Sequence, residues 1–336
     1  MTQESTSSKS VFRTLTITAA LLFGASFILS VHAQSYKPAC TNEAAYASVD
    51  GKGLYVDGGA YTSKYITNQA FTIDLSRSWN TRRPLYQQKP HGYANNHAAA
   101  GVSSDRKWWT LLIGNLVARY NADTNTWYKL VRLPMDKTFG VTGITDPATD
   151  VMYVPFAHAR KNRRIGTLRI DLRTGKIKND KRSHSMSHKY FYSAAWNSIL
   201  KSVIYVSPSG VFKYTWAHGW DTFTRKGLTK IGHRGQCLVS VNGGKKMVLF
   251  GGISADQKRV TGDIFILDVE KRVWAKGPSA PPGTARTAPS CAGSNGQVVI
   301  WGGSTSPHQL VHHCPAREVL VFSVHTNKWT NKYVAP

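Results

Sequence analysis

The chain has 336 residues, 41% of them hydrophobic, with 43 Lys and Arg against 18 Asp and Glu, a formal charge of +25. That length is large for one hydrophobic core, so a repeated small unit is the economical solution. The charge says nothing about fold but points to acidic partners. No stretch beyond the first 33 residues is long and apolar enough to span a bilayer, which excludes a protein with many membrane helices.

Residues 1–33 read as a secretory signal peptide. Lys9 and Arg13 precede an uncharged apolar stretch from Leu15 to Val31, and Val31-His32-Ala33 supplies small residues at the cleavage positions. Cleavage after Ala33 leaves residues 34–336 and a secreted product. The alternative is an uncleaved anchor at the cell surface. The mature chain keeps 41 of the 43 basic residues and 17 of the 18 acidic ones, because Lys9, Arg13 and Glu4 are lost, giving 41 − 17 = +24.

From Leu54 the chain repeats itself. LYVDGG, AFTIDL and Trp79 form the first copy, and WTLLIGN, VARYNADTNTW and Trp127 the second. The third has VMYVPF and TLRIDLRTGKI, with Ile177 where a Trp is expected. The fourth has SVIYVSPSG and VFKYTWA, with Trp220 or Phe223 near that place. MVLFGG, IFILDV and Trp274 make the fifth, and VVIWGG, EVLVFSV and Trp329 the sixth. The apolar runs are short, rich in Ile, Val and Phe, and separated by turn residues, so they read as antiparallel strands. The diglycines Gly58-Gly59, Gly251-Gly252 and Gly302-Gly303 mark the period, the last two being 302 − 251 = 51 residues apart. A period near 50 with four strands per unit is a propeller signature.

The pattern of apolar run, diglycine, strand, charged turn and Trp resembles the kelch repeat. From about Tyr46 to Tyr333 the chain resembles the secreted fungal kelch proteins loosely called galactose-oxidase-like. The match is sharp in copies five and six and eroded in three and four. The resemblance implies an all-β fold, a six-bladed kelch-type β-propeller preceded by a signal peptide, with Trp79, Trp127, Trp274 and Trp329 on outermost strands. Physically, Gly permits positive φ and close backbone approach, and Trp offers a large apolar face for blade stacking.

Charge is uneven along the ring. Val151 to Gly235 carries 17 basic residues and three acidic ones, Asp171, Asp180 and Asp221. Strand order places the loops between second and third strands, and those between blades, at one end of the sheets. Arg160, Lys161, Arg163 and Arg164 fall in such a loop, and Lys181, Arg182, His184 and His188 in the next connection. These eight are the expected contacts for an anionic polysaccharide or an acidic protein, since binding residues tend to lie on loops of a rigid scaffold. Nucleic acid is a less natural partner for a secreted chain. At least six of the 12 His fall in these loops, so contact should strengthen as pH falls. A monomer is expected.

Four cysteines, Cys40, Cys237, Cys291 and Cys314, allow three pairings. Cys291 to Cys314 would close a loop inside blade six, Cys40 to Cys314 would tie first blade to last, and Cys237 and Cys291 occupy similar places and would simply be buried.

Catalytic readings are weaker than the binding one. Galactose-oxidase-type copper chemistry needs two His ligands and a Tyr crosslinked to a Cys, and none maps onto this chain. His308, His312, His313 and Cys314 have the residue types for zinc but no recognised spacing. Few Glu remain for a paired-carboxylate hydrolase. The expectation is therefore a binding module with neither catalytic residue nor cofactor, with an extracellular oxidoreductase or a lectin-like carbohydrate binder as the alternatives.

Overall fold

The computed structural model describes residues 36–61, 65–135, 142–158, 164–180, 182, 193–228, 234–307 and 319–336, with residues 156–158, 164 and 165 in backbone only. The segment expected to be a signal peptide, residues 1–33, lies outside them. Pro38–Pro336 form one compact unit, whose described residues build six four-stranded antiparallel sheets, each with its strands in chain order, and one two-stranded sheet.

Blade one comprises Ala45–Val49, Gly53–Asp57, Ala70–Asp74 and Tyr86–Lys89, and blade two Ala99–Val102, Trp108–Ile113, Leu116–Asn121 and Thr126–Arg132. Blade three comprises Ile144–Asp146, Val151–His158, Arg164–Asp171 and Ile177–Asp180, and blade four Ser193–Asn197, Ser202–Ser207, Gly210–Thr215 and Gly219–Thr222. Blade five comprises Cys237–Val241, Lys246–Phe250, Ile264–Asp268 and Val273–Lys276, and blade six Ser290–Ser294, Gln297–Trp301, Leu320–Ser323 and Lys328–Thr330. A single 3-10 turn, Asn242–Gly244, is the one helical element among the described residues.

Each innermost strand touches the innermost strands of both neighbouring blades, and the first touches the sixth, so the ring is closed. This arrangement explains why the second strands are apolar runs rather than alternating ones. Gly53–Asp57, Ser202–Ser207 and Gln297–Trp301 are buried at every position, because a blade stacks on each face. The outermost strand Thr126–Arg132 has nothing beyond it and is largely exposed.

The cores lie between blades. One cluster joins Ile204 and Val206 of blade four to Met247, Leu267 and Trp274 of blade five. Another joins Cys237 and Phe250 of blade five to Ile300 and Phe322 of blade six. At the junction of last and first blades, Phe71 meets Trp301 edge-on at 4.8 Å. Each such buried large side chain contributes on the order of 2–3 kcal/mol, and all of it depends on a neighbouring blade being present.

The diglycines clamp successive blades. Gly59, Gly252 and Gly303 donate their amides to the carbonyls of Asn95, Arg286 and Thr41 at 2.7, 2.8 and 3.0 Å. Each acceptor lies four residues before the innermost strand of the next blade. All six glycines have positive φ, from 64° to 97°. A Cβ on Gly251 or Gly302 would stand 2.4 or 2.5 Å from the carbonyl oxygen of Arg286 or Thr41. Glycine is required here both for backbone conformation and for room.

The Trp residues form a second, outer set of ties. The indoles of Trp127, Trp274 and Trp329 donate to the carbonyls of Pro90, Thr224 and Pro278 at 3.0, 3.1 and 3.0 Å. Each acceptor follows the outermost strand of the preceding blade.

Trp79 breaks this pattern and corrects the sequence expectation. It is not on the outermost strand of blade one, which is Tyr86–Lys89. Trp79–Asn80 instead pairs with Lys332–Tyr333 at the chain's end. The Trp79 ring stacks on Tyr333 at 5.0 Å, and the Tyr333 hydroxyl donates to the Leu75 carbonyl at 2.7 Å. The last strand thus crosses from blade six onto blade one. The Trp at this position was recruited to ring closure, because the copy before blade one is the far end of the chain.

Candidate functional site

The innermost strands surround an axial channel of about 200 Å³, lined by Ala47, Val102, Ile144, Ala195, Val239 and Gly293 among others. The segments leading into these strands form an arc at one end of it. Ala288 donates to the Gly235 carbonyl at 2.7 Å, Glu43 to Ala288 at 3.2 Å and His97 to Glu43 at 2.8 Å. All four acceptor and donor residues have positive φ, between 51° and 74°. Each lies two residues before an innermost strand, so the arc runs through blades five, six, one and two.

Glu43 and His97 also meet through their side chains, Oε2 to Nε2 at 2.5 Å, with the two groups 7% and 14% exposed. A carboxylate held against an imidazole nitrogen fixes the orientation of the ring. Sequence reading missed this pair. The signal was present, for 97 − 43 = 54 residues is one blade period, but only the fold shows that equivalent positions touch.

Of the eight expected contact residues, Arg160, Lys161, Arg163, Lys181, His184 and His188 lie outside the described residues, and Arg164 is described in backbone only. Arg182 is described in full. Its Nε lies 2.8 Å from Asp180 Oδ1, one terminal nitrogen lies 2.7 Å from Oδ2, and the other donates to the Ala217 carbonyl at 2.8 Å. The guanidinium therefore ties the edge of blade three to the outer turn of blade four. Burial would raise the Asp180 carboxyl, but hydrogen bonds from Arg182 and Tyr214 outweigh it and hold it below the usual carboxylate range.

The sector's other two acids are also engaged. Asp171 accepts from the Arg173 and Thr174 amides at 3.0 and 2.7 Å, and Asp221 lies 4.0 Å from Lys213. All three acidic residues of the Val151–Gly235 sector are thus taken up by local partners.

The disulfide is not the one within blade six. Cys237 is bonded to Cys291, which corrects the Cys291–Cys314 pairing. Both cysteines lie near the start of innermost strands on adjacent blades, where a sheet-to-sheet approach brings them within 6.3 Å, Cα to Cα. Cys40 is disulfide-bonded as well. His308, His312, His313 and Cys314 lie outside the described residues. Among the described residues, no three His, Cys, Asp or Glu side chains gather as a metal-holding group.

No family model and no curated protein matches the chain. Among solved structures it is similar to the one titled "Structure of YjhT", with a TM-score of 0.64 and 13% sequence identity over 88% of this chain and 98% of that one. At that identity the likeness establishes a shared fold. The chain is therefore a six-bladed β-propeller carrying at least one inter-blade disulfide.

Proposed function

We propose that the protein is a secreted kelch-type propeller that binds an anionic partner, an acidic polysaccharide or an acidic protein, through loops of blades three and four. The observation that carries this reading is the sector from Val151 to Gly235, where 17 basic residues face three acidic ones. Those three are occupied by Arg182, Lys213 and the turn at Arg173. The sector keeps a net charge of 17 − 3 = +14, and such an excess attracts polyanions over a screening length of about 10 Å at 0.1 M salt. Disulfide use fits the oxidising compartment to which a signal peptide would deliver the chain.

Chromatography on an immobilised polyanion tests it. Retention should fall with added salt and rise between pH 7.5 and 5.5, as the loop histidines charge around their ordinary value of about 6.5. Replacing Arg160, Lys161, Arg163 and Arg164 together by Gln should weaken retention at both pH values, whereas replacing His184 and His188 by Gln should reduce its pH dependence. Retention indifferent to salt would overturn the proposal. N-terminal sequencing of the secreted product should begin at Gln34, and a retained Met1 would overturn the cleavage.

A carbohydrate-binding reading has its own support. Tyr61 and Tyr65 are 55% and 69% exposed in the loop after Gly59, where the Tyr61 amide donates to the Tyr65 carbonyl at 2.9 Å. Exposed aromatic faces suit stacking on sugar rings. A glycan array at high salt separates the readings, since neutral-sugar binding would survive there. The oxidoreductase alternative is tested by metal analysis of the purified protein, where stoichiometric copper would favour it.

A further inference from the structure

A cleft of about 380 Å³ lies between blades one and two, at the end of the sheets where the hairpin turns are. Its size falls in the range of small-molecule sites. The face of blade one that looks toward blade two supplies Tyr55, Thr72, Gln87 and Lys89, and the first turn of blade two supplies Asp105, Arg106 and Lys107.

The charges do not cancel. Five cations line the cleft, Lys52, Arg77, Lys89, Arg106 and Lys107, against three carboxylates, Asp74, Asp105 and Asp123. Two carboxylates are held by cations: Asp74 by Arg77 at 3.2 Å and Asp123 by Lys107 at 3.0 Å. Asp105 accepts from the Ser103 hydroxyl at 2.5 Å and the Lys107 amide at 3.0 Å. Lys52 reaches the Ser104 carbonyl. Among the described residues, neither Lys89 nor Arg106 has a carboxylate within ion-pair distance. Burial first, and the Arg106 charge second, draw the Lys89 ammonium below the usual lysine range. Two cations without a carboxylate partner thus lie near enough to repel, Lys89 half-buried and Arg106 exposed, a repulsion that a bound anion would relieve.

Uncharged donors accompany them. The Thr72 hydroxyl donates to the Gln87 side-chain Oε1 at 3.4 Å, a bond that uses none of the donors on the Gln87 side-chain nitrogen. Gln87 and Lys89 are two apart on one strand, so their side chains share a face.

The geometry points to this cleft as a binding site for a tetrahedral oxyanion, phosphate or sulfate, free or as the ester group of a small molecule, held between Lys89 and Arg106 with Gln87 as a third donor. Guanidinium and ammonium together form strong charge-assisted bonds to such groups. The site is separate from the proposed partner surface, because His158 and Arg164, the paired strand ends of blade three that lead to that surface, are at the end of the sheets opposite the hairpin turns of the cleft, and either assignment can fail without the other.

Calorimetry on the full chain tests it, with inorganic phosphate, inorganic sulfate and glucose 6-phosphate titrated at constant ionic strength, and sodium chloride as the blank. Saturable one-to-one binding is expected for at least one oxyanion. Lys89→Gln and Arg106→Gln should each weaken it at least tenfold, while Lys245→Gln, on an exposed turn of blade five, should leave it unchanged. Tighter binding of the ester assigns a phosphorylated small molecule, and equal affinity assigns the free ion. A rise in Tm with phosphate, seen for the wild type and lost in the two cleft variants, guards against misfolded variants. Heats no different from chloride, or wild-type affinity in both cleft variants, would overturn the assignment.

Discussion

The amide of Gly303, at the end of a strand in blade six, donates to the carbonyl of Thr41 at 3.0 Å, just before blade one. The same bond joins blade one to blade two through Gly59 and Asn95, and blade five to blade six through Gly252 and Arg286. Ring closure thus reuses the ordinary blade-to-blade clamp across a gap of 303 − 41 = 262 residues.

The clamp predicts unequal costs for two glycine substitutions. Gly302 has φ +64° and a Cβ there would stand 2.5 Å from the Thr41 oxygen, whereas Gly283 has φ +77° and open space. Gly283→Ala should carry left-handed strain alone, about 1–2 kcal/mol. Gly302→Ala adds a backbone clash of about 1–3 kcal/mol. Urea unfolding of both variants checks this, and equal midpoints would remove the steric argument.

The C-terminal strand should act as a latch. Tyr333→Phe loses the hydroxyl's bond to Leu75 and should cost about 0.5–1.5 kcal/mol. Tyr333→Ala also removes the ring stacked on Trp79 and should cost about 3–5 kcal/mol. The near-ultraviolet signal of Trp79 would follow the same order.

Peptide mapping without reduction should recover Cys237 linked to Cys291. With four cysteines in the chain and Cys40 also bonded, the expected second product is Cys40 linked to Cys314. Replacing Cys237 and Cys291 together by Ala should cost about 2–4 kcal/mol, read from the shift in urea midpoint.

Asp57 predicts a pH dependence opposite to that of a salt-bridged carboxylate. It is fully buried, with Asn95 as its hydrogen-bond partner. Burial raises its carboxyl well above the usual range, and the Asn95 bond offsets only part of this. The native state then holds a proton that the unfolded chain releases from about pH 3.9 upward. Stability attributable to this group is therefore intact below that pH and declines as pH rises toward the folded value. Asp57→Asn should remove the decline. The Tm of the variant relative to wild type should increase between pH 4 and 8, and a constant difference would refute the neutral carboxyl.

How much of this was readable beforehand depends on the range of the interaction. The repeat was visible because strand length, diglycine and Trp recur locally; in blade five, Gly251-Gly252 follows the second strand and Trp274 lies on the outermost one. Trp79 does not lie on such a strand. Its surroundings resemble those of the other copies, yet its partner Tyr333 lies 254 residues away, as 333 − 79 shows. Cys237 and Cys291 looked like equivalent core positions, and it is that equivalence which makes them neighbours. The cleft at Lys89 and Arg106 was not legible, since those residues belong to different blades and neither sits in a motif.

The amino-acid order alone determined an all-β chain of six similar units, because short apolar strands, turn residues and aromatic flanks are written within about 50 residues each. Which units meet, which cysteines bond, and where cations are left without counter-charge were decided by closing the ring. Stacking places equivalent residues of neighbouring blades side by side, and no local pattern encodes that adjacency.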